Sequence, residues 1–471
     1  MTSSTATCEV TSQSLVRDSV GTTLTNGVLT LVGLIIWVAM ARLLTPGWRG
    51  ALALVMIVPA TIMKVGTFGF DQGTVVLGGA DRKLLGPLTR TGVVFGLIVG
   101  LILMGLFLGF MYGFPKTFWQ VMQKVWLPEL FMVITLAFPL HLMTMAYDAA
   151  VYAEDRIAAR NAKDLVVNLV MLAVILGAVL LFNLRLFGVV GAYLVANTVS
   201  LGYGWILVRK RVDLSGGLRF DLLAKAIRLG FPVYLAQLAS FIMLPAMMVV
   251  LSWQLPQDNW GNLARIAFFT MGYQIVERTL PVTRSIGFAL LPKITGGTEE
   301  AAGELASRAS RQTLIVAFVL FAALVLCMRF IVDILLGYRY HSIVGAFAIM
   351  APGGVALSVG GVWATHLLAR CKPLNVASAG LAGVLTALIV AAIGFHNLPP
   401  GREVLAASIA VVAGSFVNSI YLLVSFTNTS GVSFTDSLVP RMDDLRDWRR
   451  VPQFVREYFL KHARREVIPP L

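Results

Sequence analysis

The sequence predicts an all-α integral membrane protein. About twelve transmembrane helices are expected, in two six-helix bundles around a V-shaped central cavity, with both termini inside. Three observations lead there. First, 57% of the 471 residues are hydrophobic and only 13% are charged, with a mean hydropathy of +0.80. Soluble domains carry nearer a quarter charged residues. Second, the apolar residues form runs of about 18 or more, the length a helix needs to cross a bilayer. Lipid offers no hydrogen bonds, so spanning backbone must be helical or form a closed barrel, and the runs lack the alternation of barrel strands. Third, 26 of the 38 Lys and Arg residues fall in segments that would lie on one side, 9 on the other and 3 within spans. The richer side is the cytoplasmic one.

Taken in order, a polar segment at 1–19 precedes a first apolar run too long for a signal-peptide core. Spans are expected at 20–44, 51–78, 90–112, 127–152, 164–184, 187–208, 229–253, 263–292, 312–336, 343–369, 375–395 and 403–427. The basic, Gly-containing stretch 209–228 reads as a cytoplasmic linker between an N-terminal bundle (20–208) and a C-terminal one (229–427). A faint repeat supports two halves. The first and seventh spans each lead through a Pro/Trp-bearing turn, TPGWRGALA and LPQDNWGNLA, into a span with a mid-membrane charge. The outer loop 113–128, with Phe114, Phe118, Trp119 and Trp126, reads as an interfacial aromatic belt. The tail, 428–471, interleaves basic residues with Trp448, Phe454, Tyr458 and Phe459, as in an amphipathic helix on an anionic leaflet. The net charge of +14 therefore sits where a membrane surface, not nucleic acid, would meet it.

Charges within spans are costly and face an interior or an aqueous cavity. Residues seven apart on a helix share a face. Lys64 and Asp71 would pair in this way on the second span, His141 and Asp148 on the fourth, and Glu277 and Arg284 on the eighth. Tyr273 lies one turn before Glu277, and Arg278 faces an adjacent side. Thr22, Asn26 and Thr30 step along the first span, and Tyr234 and Gln237 lie on the seventh. Three cations, Lys64, Arg278 and Arg284, stand against one nearby acid, so either an anionic ligand balances them or they lock helices together as ion pairs. Prolines 59, 139, 232, 245, 281 and 292 would bend the same helices. Cys8, Cys327 and Cys371 are too scattered for a metal site or a disulfide framework. No GxxxxGK[ST] motif occurs, so the chain is not an ATP-driven pump by itself. No acid, histidine or cysteine cluster has catalytic spacing, so an enzyme is not expected.

Five segments resemble the polysaccharide and lipid-linked oligosaccharide flippases of the multidrug/oligosaccharidyl-lipid/polysaccharide exporter superfamily. ARLLTPGWRGALALV resembles that family's first outer turn through Ala41, Arg42, Leu44, Pro46 and Gly50, with Thr45 in place of the usual Gly. FGFDQGTVV resembles the end of its second span, and GFPVYLAQL the start of its seventh. ARIAFFTMGYQIVERTLPVTRSIGFALLPKIT resembles its eighth. LLGYRYHSIVGAFAIMAPGGVAL with ARCKP resembles its ninth-to-tenth stretch. The resemblance covers roughly residues 15–430.

It implies movement of an undecaprenyl-diphosphate-linked glycan from the inner to the outer leaflet of a bacterial cytoplasmic membrane by alternating access. Surface-polysaccharide polymerase or export machinery would be a further partner, and membrane lipids the surroundings. No cofactor is implied beyond an H+ or Na+ gradient. By position, Lys64, Arg278, Arg284 and Arg17 become candidate diphosphate or glycan contacts, with Asn26, Tyr273 and Gln237 beside them. Glu277, Asp71, Asp148 and His141 become candidates for ion coupling, and Arg42 a structural residue. An ion-coupled drug exporter of the same superfamily would favour an acidic cavity. A membrane-embedded polymerase or acyltransferase would need a large outer loop or a catalytic cluster. A scaffold role would draw on the basic tail.

Overall fold

A computed structural model describes residues 12–122, 128–214, 217–256, 260–296 and 299–441, with backbone alone for 12–27, 119, 121, 284–296 and 299. Among these residues every regular element is helical. The first half comprises α1 (Ser12–Leu43), α2 (Pro46–Val65), α3 (Phe70–Ala80), α4 (Leu85–Gly113), α5 (Pro115–Val121), α6 (Pro128–Thr135), α7 (Ala137–Ala153), α8 (Ile157–Leu176) and α9 (Arg185–Arg209). The second comprises α10 (Phe220–Phe241), α11 (Met243–Gln254), α12 (Trp260–Gly296), α13 (Glu299–Leu335), α14 (Ile343–Ala369), α15 (Pro373–Asn397), α16 (Glu403–Ser430) and α17 (Phe434–Leu438). Ten stretches among the described residues are long and apolar enough to cross a membrane, so the chain is a multi-pass membrane protein. The first and eighth expected spans lie on α1 and α12, which are 32 and 37 residues long.

Each half packs mainly within itself. α4, α7, α8 and α9 form the body of the first, and α12 to α16 that of the second. The halves meet chiefly where α2 crosses α12 and α3 crosses α10. Both crossings are made by glycine. A Cβ at Gly50 would lie 1.8 Å from the Leu263 carbonyl oxygen. At the other end, a Cβ at Gly73 would lie 1.8 Å from the Ala226 oxygen, and one at Gly230 would lie 1.9 Å from the Gly69 oxygen. Lipid gives apolar side chains no reason to prefer one another. Close backbone approach at small residues is therefore a main source of helix association in a bilayer.

The end carrying Trp48 is further fastened by polar contacts. Arg42 Nε donates to the Leu335 carbonyl at 2.8 Å, and its Nη2 donates to Ile334. These are orphan carbonyls at the C-terminus of α13, a position that favours a cation. Tyr340 is buried and donates its hydroxyl to the Leu44 carbonyl at 2.8 Å. Its burial pushes the phenol up to about 12, so it stays a donor.

Several sequence expectations shift. The expected span 51–78 is broken between Val65 and Phe70. The span 127–152 is interrupted at Leu136, and 229–253 at Ile242. α10 starts at Phe220, so the end of the expected linker is already helical. Phe118 is no interfacial belt residue. It is buried with its ring 5.2 Å from Phe131 and 5.7 Å from Phe107. The short α17 is pinned to α13 by Ser307 and Ser310, whose hydroxyls donate to the Asp436 and Ser437 carbonyls. The amphipathic tail expected beyond it lies outside the described residues from 442 onward.

Candidate functional site

The break in the second span positions the first candidate group. Gly66, Phe68 and Gly69 interrupt the helix, with φ of 48° at Phe68 and 79° at Gly69. Such positive φ values favour glycine. Lys64 therefore stands in the last turn of α2, and Asp71 in the first turn of α3. Each charge sits at the helix end whose dipole stabilises it. The expected shared stripe of Lys64 and Asp71 does not exist, because the register does not carry across the break. Lys64 Nζ instead donates to Gln237 Oε1 at 2.9 Å, across to α10. At the break itself, Tyr234 donates to the Val65 carbonyl at 3.0 Å, an acceptor that also takes the Phe68 N–H at 3.4 Å. Asp71 accepts from the Gln72 amide at 3.0 Å.

Two cavities flank this junction. The first, about 550 Å³, lies mostly within the second half. Lys64 reaches into it from α2, and Gln237, Tyr273, Glu277, Thr365 and Asn418 line it. The second, about 280 Å³, lies between the halves. Its lining includes Trp37 and Met40 from α1, Arg49, Leu52, Ala53, Met56, Ile57 and Ala60 from α2, Leu244 and Met248 from α11, and Thr270, Gln274 and Arg278 from α12. Among the described residues, none of those lining it is acidic. Trp37 Nε1 donates to Gln274 Oε1 at 2.9 Å, joining α1 to α12 beside the two arginines. The Arg278 guanidinium lies against Gly33, where a Cβ would be 3.6 Å from Nη1.

The expected single set of cations is thus divided. Consecutive helical residues point about 100° apart. Glu277 accordingly faces the first cavity with Lys64, and Arg278 faces the second. The partner of Arg278 there is Arg49, which the sequence reading placed in an outer loop. Arg49 is only 7% exposed, and its Nη1 donates to Met40 Sδ at 3.6 Å. The signal for it was present: a cation in a first helical turn lacks dipole support, so Arg49 needs another reason to be there. The side chains of Arg17, Asn26 and Arg284 lie outside those described.

His141 and Asp148 do share a face of α7, as their spacing predicts. They sit within the first half and are not among the residues lining either cavity. The His141 ring nitrogen Nδ1 lies 3.4 Å from Asn197 Oδ1. Asp148 is engaged by Lys163, an ion pair joining α7 to α8. Sequence placed Lys163 in an inner loop, yet it is 1% exposed. Hydropathy windows could not find it because it lies in the first two turns of α8, among Arg160 and Asp164.

No family model matches the chain, and no curated protein sequence matches it. Solved structures do. An inward-facing multidrug resistance transporter of the MATE family, in the MOP superfamily, has a TM-score of 0.69 at 15% identity, covering 86% of this chain and 96% of that one. The lipid II flippase MurJ, in an inward closed conformation, also has a TM-score of 0.69, at 12% identity, with 86% and 87% covered. A MOP superfamily transporter from Pyrococcus furiosus, described as having a binding pocket of reverse polarity, has a TM-score of 0.60 at 15% identity, with 88% and 95% covered. At such identities the likeness establishes the fold, a two-bundle helical architecture shared with MOP superfamily transporters.

Proposed function

We propose that this protein is a flippase that moves an undecaprenyl-diphosphate-linked oligosaccharide from the inner to the outer leaflet of a bacterial cytoplasmic membrane, for cell-surface polysaccharide synthesis. One observation carries the reading: Arg49 and Arg278 line a cavity between the halves with no acid among its described lining residues. Two guanidinium groups in a poorly solvated space are costly unless an anion accompanies them. Their planar forks suit the paired oxygens of a diphosphate. In this reading Lys64, Gln237 and Tyr273 meet the sugars from the adjoining cavity, and Arg17, Asn26 and Arg284 stay candidate contacts of the diphosphate or glycan. The glycine crossings open alternately, Gly69/Gly73 on Gly230/Ala226 for loading and Gly50 on Leu263 for release.

A proton or sodium gradient is the proposed energy source. Glu277, beside Lys64, is the first candidate for coupling, and Asp71 at the broken helix is the second. Asp148 and His141 are the third, with Lys163 as the group that would release Asp148. The polymerase or export machinery that uses the glycan would act on the released product. Glu277 is the observation that favours the other reading, an ion-coupled multidrug exporter, because a cationic drug would need an acid.

The test is leaflet accessibility of the lipid-linked glycan in cells making the wild-type protein or Arg49→Gln/Arg278→Gln. Precursor retained on the inner leaflet, with the variant inserted at normal levels, is the expected result. Normal appearance of the glycolipid outside with the double variant would overturn the reading, and loss of drug efflux would then favour the exporter.

A further inference from the structure

The larger cavity contains a group that does not belong to its walls. Among the described residues that line it, Lys64 alone comes from the first half, and all the others belong to α10, α11, α12, α14, α15 or α16. The break after Val65 delivers it there. α2 ends at the break, so Lys64 stands in its last turn, where the helix dipole favours a cation. Tyr234 and Gln237, three apart on α10 and so on one face, hold that end of α2. Tyr234 donates to the Val65 carbonyl at 3.0 Å, and Gln237 Oε1 accepts from Lys64 Nζ at 2.9 Å. Gly230 lets the chains come this close, since a Cβ there would lie 1.9 Å from the Gly69 oxygen.

Without that lysine, the cavity has the make-up of a pocket for an organic cation. Glu277 is the one carboxylate among the described lining residues, and it is exposed, so a ligand entering the cavity can reach it. Phe241 and Tyr273 contribute aromatic rings, whose faces attract cations. Gly360, Gly361, Ala364 and Gly380 keep the space clear of bulk. The volume of about 550 Å³ suits a drug-sized ligand, for which about 300–1,000 Å³ is usual. A bare metal ion is held by oxygens closing in at about 2.0–2.6 Å. A chamber this wide with one carboxylate suits a larger ion.

The lysine reverses that preference. Its ammonium is itself a cation inside the carboxylate-bearing chamber, and it repels a second one. It still donates hydrogen bonds, so a hydroxylated or anionic cargo is not turned away. We propose that the cavity of the second half is an organic-cation pocket closed by Lys64, a cation tethered to the first half, and that Lys64 thereby determines what this protein refuses. Selectivity is a difference of affinities, and a repulsive group against the wrong ligand is one of the two ways to make it. The proposal goes beyond the flippase reading, which concerns what the arginine-lined cavity accepts. It also gives a reason why Glu277 does not by itself admit a drug cation.

The experiment uses the full-length protein in nanodiscs of zwitterionic phosphatidylcholine, with ethidium as the probe and fluorescence anisotropy as the readout. Lys64→Met keeps the length of the side chain and removes its charge. It should bind ethidium about tenfold more tightly than wild type. Lys64→Arg should bind as weakly as wild type, and Lys64→Met/Glu277→Gln should lose the gain. A second measurement does not depend on comparing separately folded variants. In a background without the three native cysteines, Lys64→Cys should show the same gain. Treating that sample with aminoethyl methanethiosulfonate, which restores a charged amine, should reverse it, and the uncharged methyl methanethiosulfonate should not.

Wild-type protein that binds ethidium as tightly as Lys64→Met would overturn the proposal and count for the exporter reading. A Lys64→Met protein with no gain would also overturn it, as would a gain that survives Glu277→Gln or the restored amine. The two readings fail separately. No gain at Lys64 in a protein whose Arg49→Gln/Arg278→Gln variant stops flipping removes the cation filter and leaves the flippase. A reversible gain in a protein whose double arginine variant still flips removes the flippase reading and leaves the filter.

Discussion

The indole rings of Trp48 and Trp260 lie 4.6 Å apart between centroids, tilted by 52°. Each stands in the first turn of the helix that follows the first or seventh expected span. The two members of a sequence repeat therefore touch each other, as residues near an approximate two-fold axis do. Gly47 makes this possible, since a Cβ there would be 2.9 Å from the Trp260 ring. The contact sits at the crossing of α2 and α12, beside Arg42 and Tyr340, and it makes that end of the molecule separable by a few defined changes.

Gly50→Val should hold the Trp48 end open, because a side chain there collides with the Leu263 backbone. In a background without the three native cysteines, a cysteine placed at Ala53 should react faster with a membrane-impermeant maleimide added from outside. Unchanged reactivity would show that the crossing is not a gate.

Gly230→Val should do the reverse. It forces α10 away from Gly69 and Gly73, and the same cysteine should become reactive from the cytoplasmic side in inverted vesicles. If Gly50→Val and Gly230→Val alter reactivity on the same side, alternating access through these two crossings is wrong.

Tyr340→Phe removes one buried hydrogen bond to Leu44, and Arg42→Ala removes two contacts to α13. The first should shift the balance toward the outward-open form by about 1 kcal/mol, and the second by about 2 kcal/mol. Distances between spin labels across the Trp48 end report that population directly. Identical distance distributions for wild type and Arg42→Ala would refute a fastening role.

Lys163→Met should destabilise the first half by about 3 kcal/mol, because Asp148 loses its buried partner. The double variant Lys163→Met/Asp148→Asn should recover most of that loss in thermal melting. A double variant that melts normally but no longer responds to pH in transport would assign the pair to coupling. One that melts normally and transports normally would confine it to structure.

Asp221, at the start of α10, is held down to about 2, chiefly by hydrogen bonds from the Arg219 guanidinium. A depressed carboxyl favours the folded contact above its ordinary pKa, 3.8, and the contact is lost only as pH falls through about 2. The Arg219–Asp221 link should therefore persist unchanged from pH 7 to pH 4. Arg219→Ala should return the Asp221 titration, followed by carboxyl carbon chemical shift, toward its ordinary value.

Much of the fold is readable from the chain because bilayer thickness fixes how long an apolar run must be. The positions of α4, α9, α14, α15 and α16 follow from this, as does the Trp48/Trp260 repeat. The break between α2 and α3 was not readable. Gly66 and Gly69 sit inside a run long enough to span the bilayer, and glycines are common in membrane helices. Only the approach of Gly230 shows why the chain turns there. With the break unseen, Lys64 and Asp71 looked like one stripe. Glu277 and Arg278 looked like one cluster because spacing alone does not say that two cavities lie on either side of their helix. Arg49 and Lys163 were hidden by the same cause. Each lies near the end of an apolar run, where a charge reads as solvated unless the neighbouring helix that covers it is known.

The break in α2–α3 has a mechanical consequence. A rigid rod crossing the whole bilayer would transmit any tilt at one face directly to the other, so that sealing one side would pry apart the opposite side. A rod with a joint near its middle does not. α2 can stay seated on α12 while α3 lifts from α10, or the reverse, and both can be seated at once. In the proposed transport cycle both crossings can then be closed at once, so that neither side of the membrane sees the interior.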